Sequence, residues 1–163
     1  MYGASVPVFR RYLQNLRAIL SLASTHPDAD KLLDARLAPT MCDLAKQVEI
    51  AANFAFRCCA PLAGKPRHDS GDFARSFAGM RERIDAALAW LDTLAPADFA
   101  GAAERSITDR AGQADVTLPG ARFLSEYALP NFFFHLTTAY ALLRQAGIPI
   151  GKSDFDRFHL YAA

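Results

Sequence analysis

The sequence predicts an all-α fold: a four-helix bundle of up-down-down-up topology with a short β-hairpin or loop inserted before the last long helix. Three observations point there. Four stretches carry apolar residues at alternating steps of three and four, prolines and glycines close those stretches, and the pattern turns strand-like between the third and the fourth. Four amphipathic helices can bury their stripes only against one another, which makes a bundle the economical architecture for a single domain over residues 1–163.

The first helix is expected to start at Ser5 as N-cap, with Pro7 in its first turn and Phe9, Leu13, Leu16, Leu20 and Ala23 as its stripe. His26-Pro27 ends it, and a short helical turn follows around Asp30 to Ala35. The second helix is expected from Met41 to Cys59, with Leu44, Val48, Ala51, Ala55 and Cys58 on one face, closed by Pro61 and Gly64. A polar loop containing Gly64, Pro66, His68, Asp69 and Gly71 connects it to the next element.

Phe73, Phe77, Met80, Ile84, Leu88 and Leu91 set the rhythm of the third helix. After Pro96 the runs Ser106-Ile107-Thr108 and Val116-Thr117-Leu118 predict a hairpin whose turn spans Asp109 to Asp115. The fourth helix is expected from Ala121 to Gln145, stopped by Gly147 and kinked near Leu129, because Pro130 has no amide proton and its ring crowds the carbonyl of Glu126. Phe155, Phe158, Leu160 and Tyr161 lead part of the tail to pack back on the bundle.

Composition narrows the function classes. Eighteen basic residues against seventeen acidic ones give a formal charge of +1, so no global field draws in nucleic acid or an anionic membrane. The most apolar stretch, Ala128 to Leu143, is interrupted by Pro130, Asn131, His135, Thr137 and Thr138 and falls short of the roughly 20 residues a membrane span needs. Arg10 and Arg11 follow the first apolar residues instead of preceding an apolar core, the wrong order for a secretory signal. Cys42, Cys58 and Cys59 form no C-x-x-C pair, and the expectation is a cytoplasmic protein with buried, inert thiols at Cys58 and Cys59. The sequence contains no G-x-S-x-G, H-E-x-x-H, phosphate loop or dinucleotide fingerprint. Glu104 and Arg105 read as a hydrogen-bonded pair at the mouth of the hairpin.

One constellation could carry chemistry. Asn131 and His135 are one helical turn apart on nearly the inward face, among Phe132, Leu136, Ala139 and Leu143. Gln47 stands in the same relation to Leu44, Val48 and Ala51, so facing helices could bring Gln47, Asn131 and His135 together as a ligand-binding site. A neutral imidazole is the commonest protein ligand for zinc or nickel, and amide oxygens are weak ones. His135 is therefore either a semi-buried, hydrogen-bonded histidine or part of a small-molecule or weak divalent-metal (Zn or Ni) site. Phe132, Phe133 and Phe134 cannot all face one direction, so at least one ring is expected to meet a loop, the tail or the partner subunit of a homodimer.

Five segments carry a family resemblance: Ala4 to Phe9, Leu33 to Pro39, Glu104-Arg105, Leu129 to His135, and Ile150 to Phe155. Together they resemble the bacterial domain-of-unknown-function family 1993 (DUF1993), over nearly the whole chain. That family is similar to the DinB-like, or YfiT-like, four-helix bundles. The resemblance implies a bundle that commonly binds a divalent metal through three histidines, with thiol transferases among its members. It places His135 on the second histidine of the fourth-helix pair, Asn131 on the first, and Gln47 near the third. One expected ligand of three is a histidine here.

Overall fold

In the computed structural model, residues 1–67 and 71–159 are described, so the expectations for His68, Asp69, Leu160 and Tyr161 lie outside the described residues. The long helices are α1 (Tyr2–Ala23), α3 (Leu44–Leu62), α4 (Phe77–Leu91) and α6 (Leu129–Gln145), with the short α2 (Ala29–Leu32) between the first two. A 3-10 turn (Pro96–Phe99) leads to β1 (Ser106–Ala111) and β2 (Ala114–Pro119). The short α5 (Gly120–Arg122) and a π-helical stretch (Phe123–Ala128) precede α6, and α7 (Lys152–Asp156) follows it.

Local chemistry sets the helix starts. Asp43 accepts the amide of Lys46 and Ser76 accepts that of Gly79, each satisfying one of the orphan donors of a helix N-terminus. Both helices thus begin later than the apolar pattern predicts. Phe73 precedes α4 and packs its ring under the Arg83 guanidinium, 4.9 Å from the centroid. At the amino terminus the expectation is wrong in the other direction. Ser5 is not an N-cap but a buried residue inside α1, its hydroxyl donating to the carbonyls of Met1 and Tyr2 at 3.1 and 3.3 Å. Pro7 then lies beyond the first turn, where the carbonyl it leaves unbonded belongs to the exposed Gly3.

Cross-helix contacts fix the topology. Arg17 pairs with Asp85, Arg10 with Asp92, and Arg81 with Ser24, so α1 and α4 run antiparallel. Asn53 meets Arg83 and Phe56 meets Trp90, so α3 and α4 run the same way. Gln47 meets His135 and Phe54 meets Tyr127, so α3 and α6 are antiparallel. Phe9 packs on Phe132 and Tyr12 on Phe133, making α1 and α6 parallel. The bundle is up-down-down-up. Its core is filled by fully buried Phe9, Leu13, Leu44, Phe56, Ile84 and Phe132 among others. Each such side chain contributes roughly 1.5–3 kcal/mol relative to exposure.

The proline in the last long helix produces more than a kink. Pro130 lies one residue beyond the π stretch, and the amide of Leu129 reaches back five residues to the carbonyl of Leu124. A π turn pairs each carbonyl with the amide five residues on, which lets the chain step past a residue that has no amide to give. The hairpin is longer than predicted, its strands reaching Ala111 and Ala114, because Gly112 at φ +63° allows a two-residue turn. Ile107 and Asp109 form its inward face. Arg105 does not act through Glu104. Its guanidinium donates to the carbonyls of Pro61 and Leu62 and so caps the end of α3. Phe155 of α7 packs between Tyr12 and Tyr140, as the returning tail requires.

Candidate functional site

Gln47 and His135 meet across α3 and α6, with Oε1 of Gln47 2.7 Å from Nδ1 of His135. Gln47 is 1% exposed, and its Nε2 donates to the carbonyl of Cys42 at 3.1 Å. A carbonyl can only accept, so the amide nitrogen of Gln47 faces Cys42 and its oxygen faces the imidazole. The proton of the neutral ring therefore sits on Nδ1, and Nε2 carries the lone pair. Phe54 stacks on the ring at 6.2 Å and 22°, while Phe134 meets its edge at 5.2 Å. Burial, and then the positive charge of Arg57, hold the His135 pKa below its ordinary value.

His135 and Asn131 line a cleft of about 280 Å³ between α3, the start of α6 and the tip of the hairpin, together with Phe54, Arg57, Arg110 and Tyr127. Asn131 turns its Nδ2 back to the carbonyl of Tyr127 at 2.7 Å. The structure thus brings two of the three expected residues to the cleft and sets the third, Gln47, behind the ring as its hydrogen-bond anchor.

Arg57, which the sequence does not single out, belongs to the site as well: Gln47, Ile50, Phe54 and Arg57 recur at steps of three and four along one face of α3. Its Nε and Nη2 donate to Asp109 Oδ2 at 3.0 and 2.6 Å, and Nη2 also reaches the Arg110 carbonyl and the Tyr127 hydroxyl. Arg67 donates to the other oxygen of Asp109 at 2.5 Å. Asp109 is 4% exposed, so this carboxylate clamps the hairpin to α3 from the interior, satisfied by two guanidinium groups. No short-range pattern marks Asp109, because its partners lie 52 and 42 residues away. Burial raises the Tyr127 pKa, with Asp109 adding to the shift and Arg57 opposing it. Burial likewise pushes the Cys58 thiol well above its usual range, and both Cys58 and Cys59 are fully buried.

The donor set does not match a three-histidine metal site. Among the described residues no three His, Cys, Asp or Glu side chains gather as potential ligands. Gln47 and Asn131 have their amide nitrogens committed to carbonyls, and Nδ1 of His135 is committed to Gln47. What remains is Nε2 of His135 and the weakly ligating side-chain oxygen of Asn131. Also among the described residues, no helix is long and apolar enough to cross a membrane.

Comparison with known proteins gives the fold its relatives. A crystal structure of a DinB family member protein from Shewanella denitrificans matches with a TM-score of 0.85 and 37% identity, over 99% of this chain and 94% of that one. No functionally curated protein matches. The family model described as Domain of unknown function (DUF1993) matches residues 1–156, and the chain belongs to that family of DinB-like helical bundles.

Proposed function

We propose that this DinB-like bundle binds a small polar molecule in the cleft beside His135. The observation that carries the reading is the Gln47–His135 hydrogen bond at 2.7 Å, which fixes the ring and leaves Nε2 as an acceptor at the cleft. Asn131, Tyr127 and the guanidinium of Arg57 supply the remaining polarity around it, and Phe54 and Ile50 the apolar wall. At about 280 Å³ the cleft is at the small end of the roughly 300–1,000 Å³ usual for ligand pockets, so the ligand is compact. A zinc or nickel ion has one imidazole nitrogen to engage here, which supports weak retention at most.

The test is a thermal-shift screen of small polar metabolites and of Zn²⁺ and Ni²⁺ against wild type and His135→Ala. The reading expects an organic ligand whose stabilisation is lost in the variant. Stabilisation by a divalent ion alone, lost in the same variant, overturns it in favour of a metal site.

A second reading, self-association, is favoured by Phe134, whose ring is 55% exposed on α6 next to His135. It predicts that Phe134→Ser changes the sedimentation coefficient while His135→Ala does not.

A further inference from the structure

The amino-terminal half of α1 and the end of α7 enclose a second cleft, of about 450 Å³, remote in sequence from the His135 site and lined by Tyr2, Arg10, Arg11, Gln14, Asn15 and Arg157. Three arginines line it, and no Asp or Glu does. Arginine stays protonated throughout the physiological range, so the charges of Arg11 and Arg157 repel unless an anion joins them. Asp92 offsets Arg10 from the neighbouring α4. Asp156, the neighbour of Arg157 in sequence, is occupied, accepting the amides of Phe158 and His159 and pairing with the His159 ring at 2.6 Å.

Two of the three arginines have a side-chain partner that holds them. Arg10 is tied to Asp92, and Arg11 stacks over the Phe158 ring at 4.2 Å. Asn15, buried in α1, donates to the carbonyl of Phe155 at 2.9 Å and pins α7 beside the cleft. Arg157 has φ +59°, the one non-glycine residue in the left-handed region among the described residues. Two of the long helices end with glycine in that conformation: Gly64 after α3 at +63° and Gly147 after α6 at +85°. At the end of α7 the chain accepts the strain of a side chain instead, and the residue is an arginine that lines a cleft with two others.

We propose that this cleft is a binding site for a phosphate monoester. Guanidinium groups bind tetrahedral oxyanions through paired, charge-assisted hydrogen bonds, and the two that Asp92 does not offset, Arg11 and Arg157, match a dianion better than a monoanion. The volume exceeds that of a phosphate group, leaving room for the alcohol portion against Tyr2 and Gln14.

The test follows backbone amides by NMR during titration with inorganic phosphate, glycerol phosphate, succinate and chloride at constant ionic strength. Saturable shifts at residues 155–158 are expected with both phosphates, with glycerol phosphate at least as tight as inorganic phosphate and chloride inert. Arg157→Gly suits the observed φ, so it should fold with an unchanged or higher Tm and bind phosphate at least tenfold more weakly. His135→Ala should leave the titration unchanged, which separates this site from the first. Equal phosphate affinity in Arg157→Gly overturns the proposal, as does an equal response to chloride or tighter binding of succinate. Arg11→Gln provides a second variant read in the same way, with the same tenfold weakening expected.

Discussion

The side-chain oxygen of Gln47 and Nδ1 of His135 lie 2.7 Å apart across 88 residues of sequence, and this contact ties α3 to α6 at the candidate site. It joins a fully buried amide to a half-buried ring, so each partner depends on the other for satisfaction. Energetics, tautomer and titration of the site follow from it.

Removing the amide leaves the imidazole N–H without its partner and frees the Cys42 carbonyl. Gln47→Leu should therefore cost roughly 1–3 kcal/mol, the penalty of a buried polar group left unsatisfied. Urea denaturation measures it. A midpoint equal to wild type would show that the bond carries no weight.

The pH dependence of stability has a definite sign. The His135 pKa is lowered in the folded protein by burial and by Arg57, so between its folded value and its ordinary value of 6.5 the unfolded chain binds more protons. The contribution of this residue is full above about pH 6.5 and declines as pH falls towards the folded pKa. Comparing melting temperatures of wild type and His135→Gln from pH 7.5 to 5.5 should show a steeper acid decline in wild type. Parallel curves would contradict the shift.

Asp109 anchors the hairpin through Arg57 and Arg67. Asp109→Asn removes the charge that pairs both arginines and should destabilise by about 2 kcal/mol, less than a fully buried pair because both guanidinium groups retain some solvent contact. Hydrogen exchange should locate the loss, with amides of β1 and β2 losing protection before those of α3. Uniform loss across the bundle would mean that Asp109 supports the whole core and not the hairpin.

Thiol chemistry offers an independent check on the packing. Cys42 is exposed, whereas Cys58 and Cys59 are fully buried and the Cys58 thiol is held in its protonated form. A thiol-reactive dye should modify one cysteine per chain quickly at neutral pH and the other two only as the protein unfolds. Rapid reaction of all three would place the end of α3 outside the core.

Much of this structure is legible in the sequence because it depends on periodicity. The stripes through Leu13, Val48, Ile84 and Leu136 are local patterns, and each is buried. Gln47 and His135 were found in the same way, as polar members of apolar faces. Boundaries were less legible. The start of α1 depends on how Ser5 spends its hydroxyl, and the starts of α3 and α4 depend on the caps Asp43 and Ser76, which compete with equally plausible neighbours. Around Pro130 the sequence predicts a kink where the structure has a π stretch, since a missing amide says that the helix must adjust but not how. The Arg57–Asp109–Arg67 clamp could not be read at all, because pairing between distant residues leaves no periodic trace.

The most direct measurement is the tautomer of His135, read from long-range ¹⁵N–¹H correlations of the imidazole above its titration range. The expected spectrum has a protonated Nδ1 and an unprotonated Nε2, and Gln47→Leu should shift the balance towards the Nε2-protonated form. A ring protonated on Nε2 in the wild-type protein would contradict the Gln47 contact, and with it the binding site built on that contact.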